Sequence, residues 1–84
     1  MTYRIRPLKW SGAGDALVAS ANSLFWTVVP LEREYAGFTH RVAWRHLYDT
    51  LNKGQFDFPS LDAALRWCEA EHVRRVELEL EKAE

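Results

Sequence analysis

Residues 24–29 constrain the fold most, because they predict a β-strand with apolar side chains on both faces. Their sequence, LFWTVV, is rich in the aromatic and β-branched residues that strands favour. Alternation along a strand divides these six residues between its two faces, with Leu24, Trp26 and Val28 on one and Phe25, Thr27 and Val29 on the other. Both faces of the resulting sheet therefore carry apolar groups, which is unusual where only one face is packed.

The rest of the chain predicts more strands and a single helix. We expect strands at about residues 3–10, 16–21, 24–30 and 40–47, the first an edge strand with a bulge at Pro7. Residues 11–15 and 31–39 read as loops, and Asn22-Ser23 and Gly37 are the predicted turn residues.

A helix is predicted over about residues 61–78. The hydroxyl of Ser60 can cap its first turn, and one face carries the apolar stripe that packs on a sheet. Residues 76–81 alternate like a strand but are good helix formers, which favours a helix that continues.

The predicted fold class is α+β, a three- to four-stranded antiparallel sheet packed on one face by a single C-terminal helix. At 84 residues the chain, 1–84, is one small domain. Because one helix covers one face, the opposite face is either closed by the loop at residues 48–59 or left open, and the sequence favours neither.

The composition indicates a cytoplasmic protein without a membrane segment. The uncharged run at residues 16–31 is shorter than a membrane helix requires, and residues 11–15 interrupt any signal peptide. A single cysteine, Cys68, cannot form an internal disulfide, which suits the reducing cytoplasm of a bacterial host.

No pattern in the chain predicts an enzyme, a metal site or a cofactor. Cys68 and His72 have the spacing of two metal ligands on a helix, but both fall on the stripe predicted to be buried. His40 and His46 are about 20 Å apart along one strand, too far to bind one ion. The chain also lacks a glycine-rich phosphate loop, so we expect a binding protein.

Two surfaces are candidates for partner binding. If Val42 faces the helix, alternation turns Arg41 and Arg45 outward, beside Phe25 or Trp26. Arginine and aromatic residues are enriched at the centres of protein interfaces. The second candidate is Trp67, which projects from the helix flank. Contact with a strand edge is the favoured account of its position, and an exposed Trp67 would be a partner anchor.

Two other functions use the same sheet. Arg4, Arg6, Arg41 and Arg45 would form a basic face for DNA, and the strand-strand-strand-helix order over about residues 17–75 loosely resembles plant-type AP2 and integrase arm-binding domains. A sequence pI of about 6.3 argues against that reading. An uncovered face also allows a homodimer.

The two ends of the chain resemble small phage and prophage proteins. The start YRIRPLKW and the helix SLDAALRWCEAEH are similar to the openings and C-terminal helices of such proteins. The resemblance implies a non-enzymatic accessory protein that binds a host protein. Some relatives of this type are anti-CRISPR inhibitors, which makes a CRISPR effector subunit an expected partner.

Overall fold

A computed structural model describes residues 4–83 of the chain, with side chains through residue 80. Five strands precede one helix: β1 (Ser11–Ala13), β2 (Ala16–Ala21), β3 (Leu24–Tyr35), β4 (Phe38–His46), β5 (Lys53–Phe58) and α1 (Leu61–Ala83). All strands are antiparallel and follow the order β1-β2-β3-β4-β5 in one sheet. The α+β class with one C-terminal helix is confirmed, but the sheet has five strands rather than three or four.

The strand expected at residues 3–10 is wrong over the part that the structure describes. Residues 4–10 form no strand and run beside α1. The amide of Leu8 donates to Glu69 Oε1 over 2.9 Å, and His72 Nε2 donates to the carbonyl of Arg6 over 2.9 Å. These backbone groups are therefore bonded to the helix instead of a neighbouring strand. Tyr3 lies outside the described residues. The edge strand is β1, in the segment expected to be a loop.

The expectation that residues 48–59 form a loop is also wrong, because β5 lies within them. β5 pairs with β4 from His40↔Phe58 to Arg45↔Lys53. Its sequence KGQFDF alternates polar and aromatic residues, which is the period of a strand. The segment widens the sheet and does not fold back over it.

Two tight turns, one at each end of β3, set the length of that strand. Asn22 and Ser23 have φ of 53° and 65°, and Ala36 and Gly37 have φ of 49° and 84°. Positive φ at both central residues gives the turn whose twist matches a hairpin. The predicted turns are confirmed, but the loop expected at residues 31–39 is wrong. The second turn lets β3 continue to Tyr35 before the chain reverses into β4 at Phe38.

The core lies between α1 and one face of the sheet, called the inner face below. Its fully buried side chains include Trp26, Val28, Val42 and Cys68, and the predicted helix stripe supplies Ala64, Cys68 and His72. The hydroxyl of Ser60 accepts a hydrogen bond from the amide of Ala63 over 3.1 Å, as its capping role requires. The helix continues past residue 78 to Ala83, so residues 76–81 are helical.

Candidate functional site

The outer face of the sheet, which points away from α1, is the candidate binding surface. Its side chains form rows across the strands because paired residues lie side by side on one face. The first row joins Phe25 to Arg45 and Arg45 to Lys53. The Arg45 guanidinium lies 5.3 Å from the centroid of the Phe25 ring, a cation–π contact. The carboxylates that the structure describes form no ion pair with Arg45 or Lys53.

The second row carries smaller side chains, which leaves a groove. Thr27 pairs with Ala43, and Ala43 pairs with Gln55. Because Ala43 ends at its Cβ, the surface dips beside the longer side chains of the first row. The result is an open groove of about 520 Å³ lined by both rows. Small side chains, those of Thr27 and Ala43, lie at the bottom of the groove, and Arg45 and Lys53 form a basic wall.

In the third row, the positive charge of Arg41 is paired with a carboxylate of the same row. Arg41 Nε donates to Asp57 Oδ1 over 2.8 Å, and Arg41 Nη2 donates to Oδ2 over 3.2 Å. The hydroxyl of Tyr35 donates to Asp57 as well. Arg41 faces outward as predicted, but its charge is neutralised within the chain. Of the basic side chains that β4 and β5 place on the outer face, Arg45 and Lys53 form no ion pair with a described carboxylate.

Trp26 is not part of this surface, so its place among the partner-binding residues was wrong. It is 0% exposed and lies on the inner face, where it pairs with Ala19 and Trp44. Its neighbour Phe25 is the aromatic residue of the outer face. Alternation requires this, since adjacent residues of a strand point to opposite sides.

Trp67 belongs to an aromatic cluster that joins α1 to the sheet. Its ring centroid lies 5.3 to 6.2 Å from four other rings, those of Trp26, Trp44, Phe56 and Phe58. Contact with a strand edge is therefore the correct account of Trp67. Its role as an exposed anchor is wrong, because β5 covers the helix flank from which it projects.

The four arginines proposed to contact DNA do not share a face. Arg4 and Arg6 line a different groove, beside the last residues of β2, together with His72, Val76 and Leu80 of the helix. That groove lies beside α1, whereas Arg41 and Arg45 point away from it. The expected basic sheet face is reduced to Arg45 and Lys53.

Cys68 and His72 are core residues. His72 is bonded to the Arg6 carbonyl, and burial, followed by the nearby charge of Glu69, raises the pKa of Cys68 to about 12. Within residues 4–83, no three His, Cys, Asp or Glu side chains converge as metal ligands would. In the same range, α1 is too polar to cross a membrane.

Sequence reasoning missed Lys53 and the residues that link β4 to β5. The missed signal was the polar–aromatic alternation of KGQFDF, which marks β5 and places Lys53 beside Arg45. Residues 47–52 form the β4–β5 loop, which carries the exposed side chains of Tyr48 and Leu51.

Comparison with known proteins gives no relative from which a role could be transferred. No protein-family model, curated protein or solved structure matches the chain.

Proposed function

We propose that this chain is a non-enzymatic binding protein whose outer sheet face docks on a partner protein, with Phe25 and Arg45 at the centre of the contact. One observation carries the proposal: α1 covers only the inner face, and residues 4–83 leave the row of Phe25, Arg45 and Lys53 uncovered. Aromatic residues and arginine are the side chains from which interface centres are most often built.

The charges of the outer face define the chemistry of the partner. Arg45 and Lys53 are adjacent and lack an acidic partner among the described side chains. A partner carboxylate placed between them would gain two charge-assisted contacts. The small side chains of Thr27 and Ala43 leave room in the groove for an apolar group. We therefore expect the partner to present a carboxylate next to an apolar side chain that projects into the groove.

A protein partner fits this face better than DNA does. Duplex binding by charge rests on several phosphate contacts, of the order of 6–10 in strongly salt-dependent binders. The outer face offers two basic side chains without an ion pair to a described residue, and Asp57 adds a carboxylate to the same face. Phosphate contacts alone would therefore be few.

The class of partner follows from the resemblance to phage accessory proteins. A phage protein of this size acts in the cytoplasm of its bacterial host, and inhibition of a host defence complex is the role that the resemblance implies. A CRISPR effector subunit with an acidic, partly apolar surface is the partner that we propose. Neighbouring genes and affinity purification from that host identify it independently of the sheet face.

The test is a charge reversal with a matched control. The variant Arg45→Glu plus Lys53→Glu is used as bait in a host lysate, beside Arg4→Glu plus Lys9→Glu, which changes two exposed basic residues in the segment that runs beside α1. We expect the first variant to lose capture of the wild-type partner at least tenfold, and the control to retain it. Circular dichroism must show both variants folded. Equal capture by all three baits removes the proposal.

Two other results would replace it with a different function. A homodimer in light scattering that dissociates on reversal of Arg45 and Lys53 assigns the face to self-association. A gel shift at low salt that vanishes with the same reversal assigns it to DNA.

A further inference from the structure

The β4–β5 loop is held in one conformation by hydrogen bonds within and beside it. At its base, the amide of His46 donates to the carbonyl of Asn52 over 2.8 Å, and the amide of Leu47 donates to the carbonyl of Ser23 over 2.8 Å. Inside the loop, His46 Nδ1 accepts from the amides of Tyr48 and Asp49, over 3.1 and 3.0 Å. The backbone amides of the loop are thus largely bonded, and the ring of Tyr48 contacts the imidazole of His46 edge-on.

The apolar side chains of this loop have no role in the core. Tyr48 is 83% exposed and Leu51 is 90% exposed, the two highest values among the exposed large apolar residues of the described chain. Leu47 is exposed as well. A hairpin tip that only reverses the chain needs turn residues, not three large apolar ones. Their exposure on a fixed backbone is typical of side chains that enter a partner's pocket with little entropy to lose.

The base of the loop is basic. Arg45 and Lys53 pair across β4 and β5 directly below residues 47–52. The tip of the hairpin therefore presents two apolar side chains, and the strands beneath it present two positive charges. We propose that Tyr48 and Leu51 insert into an apolar pocket of the partner protein, and that carboxylates at the rim of this pocket pair with Arg45 and Lys53. This inference rests on the proposed function and adds a convex anchor to the sheet face.

The charge of the hairpin favours a protein pocket over an anionic membrane. Binding to anionic lipid gains about 1 kcal/mol per basic residue and is found with clusters of about 4–8 of them. The only lysine or arginine residues within residues 45–53 are Arg45 and Lys53. Asp49, an acidic residue, lies between them on the exposed tip. A pocket with a local acidic rim matches this charge pattern, whereas a uniformly anionic surface would repel the tip at Asp49.

The first test compares truncation of the hairpin tip with truncation of an exposed leucine elsewhere in the chain. Tyr48→Ala plus Leu51→Ala is measured against the purified partner beside Leu61→Ala, which truncates an exposed leucine at the start of α1. We expect the double variant to bind at least tenfold more weakly with an unchanged midpoint of unfolding, and Leu61→Ala to bind within twofold of the wild type. An unchanged affinity of the double variant overturns the inference.

The second test locates the contact. A photo-crosslinking phenylalanine analogue replaces Tyr48 in one bait and Tyr35, on the opposite hairpin, in another. We expect a cross-link from position 48 to partner residues flanked by Asp or Glu, and none from position 35. A cross-link from 35 alone, or a contact without neighbouring carboxylates, contradicts the inference.

Failure of the inference and failure of the proposed function give different results. If reversal of Arg45 and Lys53 abolishes capture while truncation of Tyr48 and Leu51 does not, the sheet face binds and the tip does not. If the wild-type bait reproducibly captures no protein, both proposals are wrong. Flotation of the wild type, but not of the Tyr48 and Leu51 double variant, with phosphatidylserine vesicles assigns the tip to a membrane and overturns the protein pocket.

Discussion

Gly54 lies against the six-membered ring of Trp44, its cross-strand partner, so closely that a Cβ at position 54 would overlap the ring. The ring thereby covers a residue that has no side chain of its own, and it stacks on Phe56 at 5.5 Å between centroids. Position 54 must be glycine for the indole to lie flat across β5. This pair anchors β5, one of the two edge strands of the sheet, to the aromatic cluster.

We expect Gly54→Ala to lower the free energy of unfolding by about 1–3 kcal/mol, because the added methyl group displaces the Trp44 ring. The matched control is Gly12→Ala in β1, where an added Cβ meets no heavy atom within 4 Å. The control should change stability by less than about 0.5 kcal/mol. Urea unfolding followed by circular dichroism measures both. Equal effects of the two variants would show that Trp44 moves aside without loss.

Trp67→Ala should destabilise the fold by about 3 kcal/mol, since it removes the ring that contacts Trp26 and Phe58 at once. The control is Phe56→Ala in the same cluster, whose ring is 53% exposed and buries less area. We expect the control to lose less than half as much. A neutral Trp67→Ala variant in urea unfolding would restore Trp67 as a surface residue.

Local signals predicted those parts of the fold that depend on local chemistry. The strand over residues 24–29, the turn at Asn22-Ser23 and the start of α1 at Ser60 each follow from adjacent residues, and the structure confirms them. Residues 4–10 also alternate, with a shift at Pro7, but form no strand. The hydrogen bonds of Leu8 and Arg6 reach Glu69 and His72, far along the chain, and no local pattern encodes such partners.

The binding face was predictable only in part, because some of its features depend on the pairing of β5 with β4. Alternation correctly turned Arg41 and Arg45 outward, but an apolar strand with two apolar faces cannot show whether Phe25 or Trp26 joins them. The neutralisation of Arg41 by Asp57 and the position of Lys53 both depend on β5. Because β5 lies in the segment predicted to be a loop, neither feature follows from the sequence prediction. The same error left Trp67 without the phenylalanine rings that cover it.

Glu71 should stabilise the helix in a pH-dependent way. Hydrogen bonds from Arg74 lower the pKa of Glu71 below its usual 4.5, burial opposes this, and Arg75 adds to the lowering. A lowered pKa in the folded state means that the stabilisation is present above the unfolded pKa and is lost as the pH falls through the folded one.

Glu71→Gln should therefore lower the free energy of unfolding by up to about 1 kcal/mol near pH 7, and by nothing at a pH low enough to protonate wild-type Glu71. The control, Glu77→Gln, changes an exposed carboxylate of the same helix. Urea unfolding at both pH values measures the difference. A loss that is the same at the two pH values would assign the role of Glu71 to packing instead of charge.

Cys68 should make the protein less stable in alkali. Desolvation by burial, with a smaller contribution from Glu69, raises the pKa of its thiol from 9.0 to about 12. The unfolded chain loses this proton at lower pH than the folded one, so the stabilisation is present below pH 9 and falls as the pH rises towards 12. The loss approaches about 1.4 kcal/mol per pH unit within that window. Cys68→Ala should lack this part of the decline, measured by urea unfolding between pH 8 and 11.

Ellman's reagent supplies an independent check of the buried thiol, because the folded thiol should react only as fast as the chain unfolds. Rapid labelling at pH 8 without unfolding would contradict the buried, protonated state.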